Sequence, residues 1–171
     1  MKSKNAAFLT HAAAIAALYV VLTLLANTLG LANHAVQVRF SEALTILPFF
    51  TPAAIPGLFA GCLLSNLITG CAPMDLIFGS LATLAGAFGT YQLRKYKWLT
   101  PVPPIVANII VVPLILSYVY QFEGSLLYFA VTVGIGEIIS CGVLGMILLN
   151  ALHKHAHVLF RQSDGQLQNS R

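Results

Sequence analysis

Two charged residues three positions apart, Arg39 and Glu42, open the apolar stretch QVRFSEALTILPFF, and a third, Glu137, sits inside VGIGEIIS. A charged side chain among such neighbours persists only when it is paired, faces a cavity or lies near water. The chemistry on offer is recognition. Carboxylates accept hydrogen bonds, an arginine pairs with them or with a ligand, and tyrosine rings stack on flat molecules. Asn66, Asp75, Asn108 and Tyr118 extend this set, and Asn33, His34 and Gln37 sit in the polar connection before Arg39. A planar, donor-rich ligand, neutral or cationic, with a guanine-like edge, suits two-oxygen acceptors beside an aromatic ring.

These side chains must be held by helices in a bilayer. Of 171 residues, 58% are hydrophobic and only 8% charged, against about 25% charged in ordinary soluble domains. Apolar runs near 20 residues, the length a helix needs to cross a bilayer, recur along the chain. Lipid demands that backbone groups be satisfied internally, and the ten-residue alternation of a membrane barrel is missing. The expected fold is an all-α membrane protein of six transmembrane helices, near 6–29, 41–50, 54–69, 75–93, 105–120 and 126–152. Residues 1–152 read as one six-helix transmembrane domain and 153–171 as a mobile cytoplasmic tail. The first apolar run reads as a retained helix rather than a cleaved signal peptide.

Eight of the nine Lys and Arg residues fall in three groups: Lys2 and Lys4, Arg94 to Lys97, and Lys154 with Arg161 and Arg171. The positive-inside rule makes all three cytoplasmic and puts both termini inside. Arg39, Glu42, Asn66, Asp75 and Tyr118 then share the outer half of the membrane. Glu137, about 11 residues into the last helix, lies roughly 16 Å deep, near the midplane. One outward-open pocket floored by Glu137 collects these groups, with Asn33, His34 and Gln37 as a covering loop. Simpler roles compete: Ser41 and Asp75 as helix N-caps, Glu137 as a structural bond between helices, and Asn108 as a deeper interhelical bond. The second helix reads as short, and tilted or broken by Pro48, Pro52 and Pro56.

Ala12, Ala13, Ala16 and Ala17 place small residues four apart on the first helix. Such a stripe lets another helix approach closely, either within the protein or on another subunit. Cys62, Cys71 and Cys141 read as small packing residues. No phosphate loop, HExxH, GxSxG or His/Cys metal constellation is present, so the sequence carries no catalytic signature, no metal or cofactor site and no nucleotide-driven motor of the phosphate-loop type.

The segments VRFSEALTILPFFTPAAIPGLFAGCLLSN (38–66), PMDLIFGSLATLAGA (73–87) and VGIGEIISCGVLG (133–145) resemble the QueT family of queuosine-precursor transporters. Its members are substrate-binding S-components of bacterial energy-coupling-factor (ECF) transporters, and the likeness runs from Ala6 to Leu152. The resemblance implies a six-helix S-component fold in the bacterial cell membrane, with substrate held in the outer half by helices 4 to 6. It also implies that the alanines of helix 1 dock on a transmembrane coupling subunit driven by two ATPases, and that queuine or a related 7-deazaguanine is the substrate. On this reading Glu137, with Glu42 or Asp75, accepts hydrogen bonds from the base, Tyr118 stacks, and Arg39 steadies the carboxylates or the entrance. The rival readings are an S-component for another vitamin such as thiamine or riboflavin, a small membrane enzyme, and a structural subunit without a ligand.

Overall fold

A ten-residue 3₁₀ helix, Phe40–Phe49, is buried in the molecule, packed against Lys2–Thr28, Ala54–Ile68, Pro73–Gln92, Ile138–Leu144 and Gly145–His153. The computed structural model describes residues 2–31 and 38–154. The α-helices are α1 (Lys2–Thr28), α2 (Ala54–Ile68), α3 (Pro73–Gln92), α4 (Val102–Leu114), α5 (Leu126–Glu137) and α6 (Gly145–His153). A π-helical turn, Ile115–Val119, extends α4, and a second, Ile138–Leu144, joins α5 to α6 in one rod. The described residues are thus all-helical, in six rods. Three of these, Asn5–Thr28, Lys97–Val119 and Leu126–His153, are long and apolar enough to cross a membrane. Exposed Leu9, Val21, Leu67, Ile110, Val131 and Ile147 clothe the outside with the apolar surface that lipid requires.

The second rod differs from the short α-helix expected. A 3₁₀ helix rises about 2.0 Å per residue, so ten residues reach about 20 Å rather than the roughly 15 Å of an α-helix. Ser41 through Pro48 are buried, polar Ser41, Glu42 and Thr45 included, which explains why the segment shows no lipid-facing stripe. Ser41 is not its cap; Arg39 holds that position and makes no side-chain capping bond. The fifth rod starts earlier than expected, at Val102. Pro103 and Pro104 fall in its first turn, where a missing N–H costs nothing.

Close packing of α1 on α2 sets one side of the bundle. The two helices run in the same direction, with Gly57 against Ala12 and Ile15, and Gly61 against Ala16 and Tyr19. A Cβ at Gly57 would stand 2.7 Å from the Ala12 carbonyl oxygen, and one at Gly61 2.7 Å from Tyr19 Cβ. Ala12 and Ala16 are therefore buried inside the chain, in the internal packing that was one of the two roles open to them. Ala13 and Ala17 are exposed. Tyr19, Leu44, Ile46, Leu58 and Leu149 form the core where α1, the 3₁₀ helix, α2 and α6 meet.

Gly57→Ala is expected to destabilise the detergent-solubilised protein by about 1–3 kcal/mol through overpacking. Gly142→Ala, whose Cβ would find only Ile138 at an ordinary 3.8 Å, is expected to leave the thermal unfolding midpoint unchanged. Equal midpoints for both variants would refute the α1–α2 contact.

Candidate ligand-binding site

The loop ends of the rods on one side of the bundle enclose a cavity of about 710 Å³, within the ~300–1,000 Å³ range of small-molecule sites. Its wall draws on the end of α1 (Thr23, Asn27), the start of the 3₁₀ helix (Arg39, Ser41) and the end of α2 (Ser65, Asn66, Thr69). Asp75 from α3, Ile115 and Tyr120 from the α4 rod, and Phe129 and Val133 from α5 complete it. One side is polar and the other apolar, where Val112, Leu116, Phe129 and Val133 cluster. Of the expected site residues, Arg39, Asn66 and Asp75 line this cavity.

Asp75 is tied across the cavity rather than to its own helix. Ala72 holds the N-cap position of α3 without a side-chain bond, so Asp75 is not the cap. It sits in the first turn, where the helix dipole favours an acid, and its Oδ2 accepts a 2.9 Å hydrogen bond from Tyr120 Oη. Tyr120 Oη in turn accepts from the Ala72 N–H at 3.1 Å. Partial burial pushes the Tyr120 phenol up to about 12, with the Asp75 carboxylate adding to the rise. The phenol stays a donor at neutral pH, and Asp75 Oδ1 stands 3.1 Å from where a Cβ on Gly79 would lie, close to the Asn66 amide.

Tyr118 is 74% exposed and lies outside the lining. It is two residues from Leu116, hence on the opposite face, whereas Val112, Leu116 and Tyr120 recur every four residues and look inward. Tyr120 occupies the place expected of Tyr118.

Glu42 and Glu137 do not line the cavity. Both are buried behind it, at 1% and 6% exposure. Tyr19, whose ring is part of the wall, donates a 2.6 Å hydrogen bond to Glu42 Oε1. Glu137 Oε2 accepts from Cys141 Sγ at 3.2 Å, and Ser140 Oγ accepts from the Arg39 N–H at 3.1 Å. Asn108 and Arg39 interact with both carboxyl groups. Asn108, expected as a deeper binding residue or an interhelical bond, is buried and lies outside the cavity lining. Glu42 Oε2 and Ser41 Oγ are buried without a hydrogen-bond partner among the described residues. Glu42, Glu137 and Cys141 offer ligand atoms within 4.8 Å of one another, a geometry open to a metal ion. The neighbouring Arg39 guanidinium already supplies positive charge there, so a divalent cation is a poor electrostatic fit.

The expected covering loop, Asn33, His34 and Gln37, lies outside the described residues. Cys62 and Cys141 are buried and bonded, Cys62 accepting from Thr83 Oγ1 at 3.4 Å. Cys71 lines the cavity and is only half-buried.

The profile of the QueT transporter family matches residues 9–154. The chain belongs to the QueT transporter family. Over 98 residues it is 33% identical to the queuosine precursor transporter QueT of Lactococcus lactis subsp. cremoris (strain MG1363), a match covering 57% of this chain and 57% of that protein. No solved structure matches. The family is one of transporters, so this QueT-family chain is a membrane protein and not an enzyme.

For this QueT-family chain, sequence reasoning missed Tyr19, Ser41, Tyr120, Phe122, Glu123, Tyr128 and Phe129 as parts of the site region. Only Tyr120 carried a readable signal, through its helical phase with Val112 and Leu116. Tyr19 looked like one more apolar residue of α1, and its hydroxyl acquires meaning only through a partner 23 residues away.

Tyr19→Phe is expected to leave a buried Glu42 carboxyl without its phenol donor, costing about 1–3 kcal/mol of stability. Denaturation monitored by tryptophan fluorescence or circular dichroism checks this. A midpoint equal to the wild type would remove Tyr19 from that role.

Proposed function

We propose that this protein is the substrate-binding S-component of an ATP-driven ECF importer in the bacterial cell membrane, capturing a queuosine precursor of the 7-deazaguanine type from outside. The family membership carries the reading, and the named relative is a queuosine precursor transporter. The cavity supports it chemically. Asp75 and the Asn66 amide offer an acceptor and a donor-acceptor group to the polar edge of a flat base, and aromatic rings together with the apolar wall take its faces. Arg39 offers donors to a carbonyl oxygen.

The basic groups at Lys2 and Lys4, 94–97 and Lys154 belong to the rod ends opposite the cavity. By the positive-inside rule this orients both termini to the cytoplasm and the cavity outward, in a multi-pass arrangement. On this reading release inward is driven by a coupling subunit and two ATPases, as the family resemblance implies, and the sequence carries no phosphate loop of its own. Ala13 and Ala17, exposed on α1, are the positions left for docking on that subunit. Glu42 and Glu137 act from behind the wall, holding Tyr19 and Arg39, rather than as direct contacts.

Purified protein titrated calorimetrically is expected to bind a 7-deazaguanine and to ignore thiamine and riboflavin. Asp75→Ala is expected to weaken that binding at least tenfold, and Tyr118→Ala to leave it within twofold. Saturable binding of thiamine or riboflavin instead would replace the substrate; unchanged affinity in Asp75→Ala would move the ligand elsewhere. Ala17→Leu is expected to abolish co-purification with a co-expressed coupling subunit while sparing ligand binding.

A further inference from the structure

The connection between α4 and α5 contributes a group that the recognition of a base does not use. Gln121 takes a positive φ of 52° to reverse the chain, and Ser125 restarts the helix by accepting a 3.1 Å bond from the Tyr128 N–H. Within this turn, Phe122, Glu123 and Tyr128 line the cavity while remaining exposed, so they form its mouth. The aromatic rings come in two contacting pairs. Tyr120 stacks on Phe122 with centroids 5.7 Å apart and planes 18° from parallel, and Tyr128 meets Phe129 edge-on at 5.8 Å. A Cβ at Gly124 would come within 2.9 Å of the Phe129 ring, so the turn closes directly on it.

Glu123 shares this mouth with the four rings; Asp75 is already bonded to Tyr120, whereas Glu123 makes no hydrogen bond or ion pair among the described residues. Aromatic faces combined with an unpaired carboxylate form a surface for a cation: the ring quadrupoles attract positive charge and the carboxylate supplies a charge-assisted acceptor. A neutral donor would gain only an ordinary hydrogen bond from an acid at that place, weaker than the charge-assisted one of a cation. Of the lining residues, Asp75 and Glu123 are acids and Arg39 alone is a base, leaving the wall with an excess of negative charge. Ser41, in the lining near the other end of the polar side, is fully buried with a hydroxyl that has no partner among the described residues. The wall thus holds unanswered polar capacity apart from the mouth.

We propose that Glu123, set in the aromatic mouth made by Tyr120, Phe122, Tyr128 and Phe129, is a specificity-determining residue that binds a positively charged alkylamine arm carried by the ligand's ring. The inference rests on the deazaguanine reading above and refines it: the flat base occupies the cavity and a cationic substituent points to the mouth. Preference for a charged arm over a neutral one then comes from Glu123, and base recognition from Asp75 and its neighbours.

The test uses the full-length protein and two probes that differ only in the arm, 7-aminomethyl-7-deazaguanine, cationic at neutral pH, and neutral 7-cyano-7-deazaguanine. The wild type is expected to prefer the amine. Glu123→Gln, an exposed and nearly isosteric change, is expected to weaken amine binding about tenfold while leaving the nitrile within twofold. Loss of affinity for both probes alike, or for neither, overturns the role of Glu123 and leaves the transport reading standing. Failure of the wild type to bind either probe overturns the deazaguanine reading, and this assignment with it.

Discussion

The hydrogen bond from Tyr19 Oη to Glu42 Oε1, 2.6 Å long and closed to solvent, is the contact on which the interior depends. A buried carboxyl without partners is among the most costly things a fold can contain. Here it sits on the buried 3₁₀ helix, so every element that answers it is drawn to that helix. Tyr19 brings α1, Cys141 bonds the Glu42 carbonyl oxygen at 3.5 Å from the second π-turn, and Asn108 reaches in from α4. Ser140 receives the N–H of Arg39. The charged pair that looks like an anomaly in the sequence is the point where three rods are joined.

That joint also shapes the cavity. Tyr19 is bonded on its hydroxyl side and forms wall with its ring, and Arg39 lies between the carboxyl groups and the open space. The polar groups of the cavity are thereby held from behind by groups that do not enter it. Preorganised side chains lose less freedom on binding, so this support favours affinity. The two π-helical turns lie close to this arrangement. Each widens the helix locally and shifts which side chains look inward: Ser140 and Cys141 toward the buried carboxyls, and Tyr120 toward Asp75, just beyond its turn.

The division of α1 into two faces follows from the same economy. In lipid, helices associate through close backbone approach at small residues. Ala12 and Ala16 meet Gly57 and Gly61 and are consumed inside the chain, while Ala13 and Ala17, one step around the helix, remain outside. A stripe read from spacing alone merges these two faces, because residues at i and i+1 are only about 100° apart on a helix.

Much of the architecture was legible in composition: a lipid-adapted chain, six helical rods and their approximate limits all follow from apolar runs and their polar breaks, because lipid leaves the backbone few alternatives. Arg39, Asn66 and Asp75 were also legible as cavity residues, since alternation of the rods brings their ends to one side. The helix type of Phe40–Phe49, the retreat of Glu42 and Glu137 behind the wall, the replacement of Tyr118 by Tyr120 and the emergence of Glu123 were not. Each depends on rotation about a helix axis or on a partner far along the chain, and depth in a membrane says nothing about either. Sequence by itself determined which groups are costly to bury and at which rod ends they fall; tertiary structure decided which of them line the cavity and which face each other, because that choice is made by packing between rods.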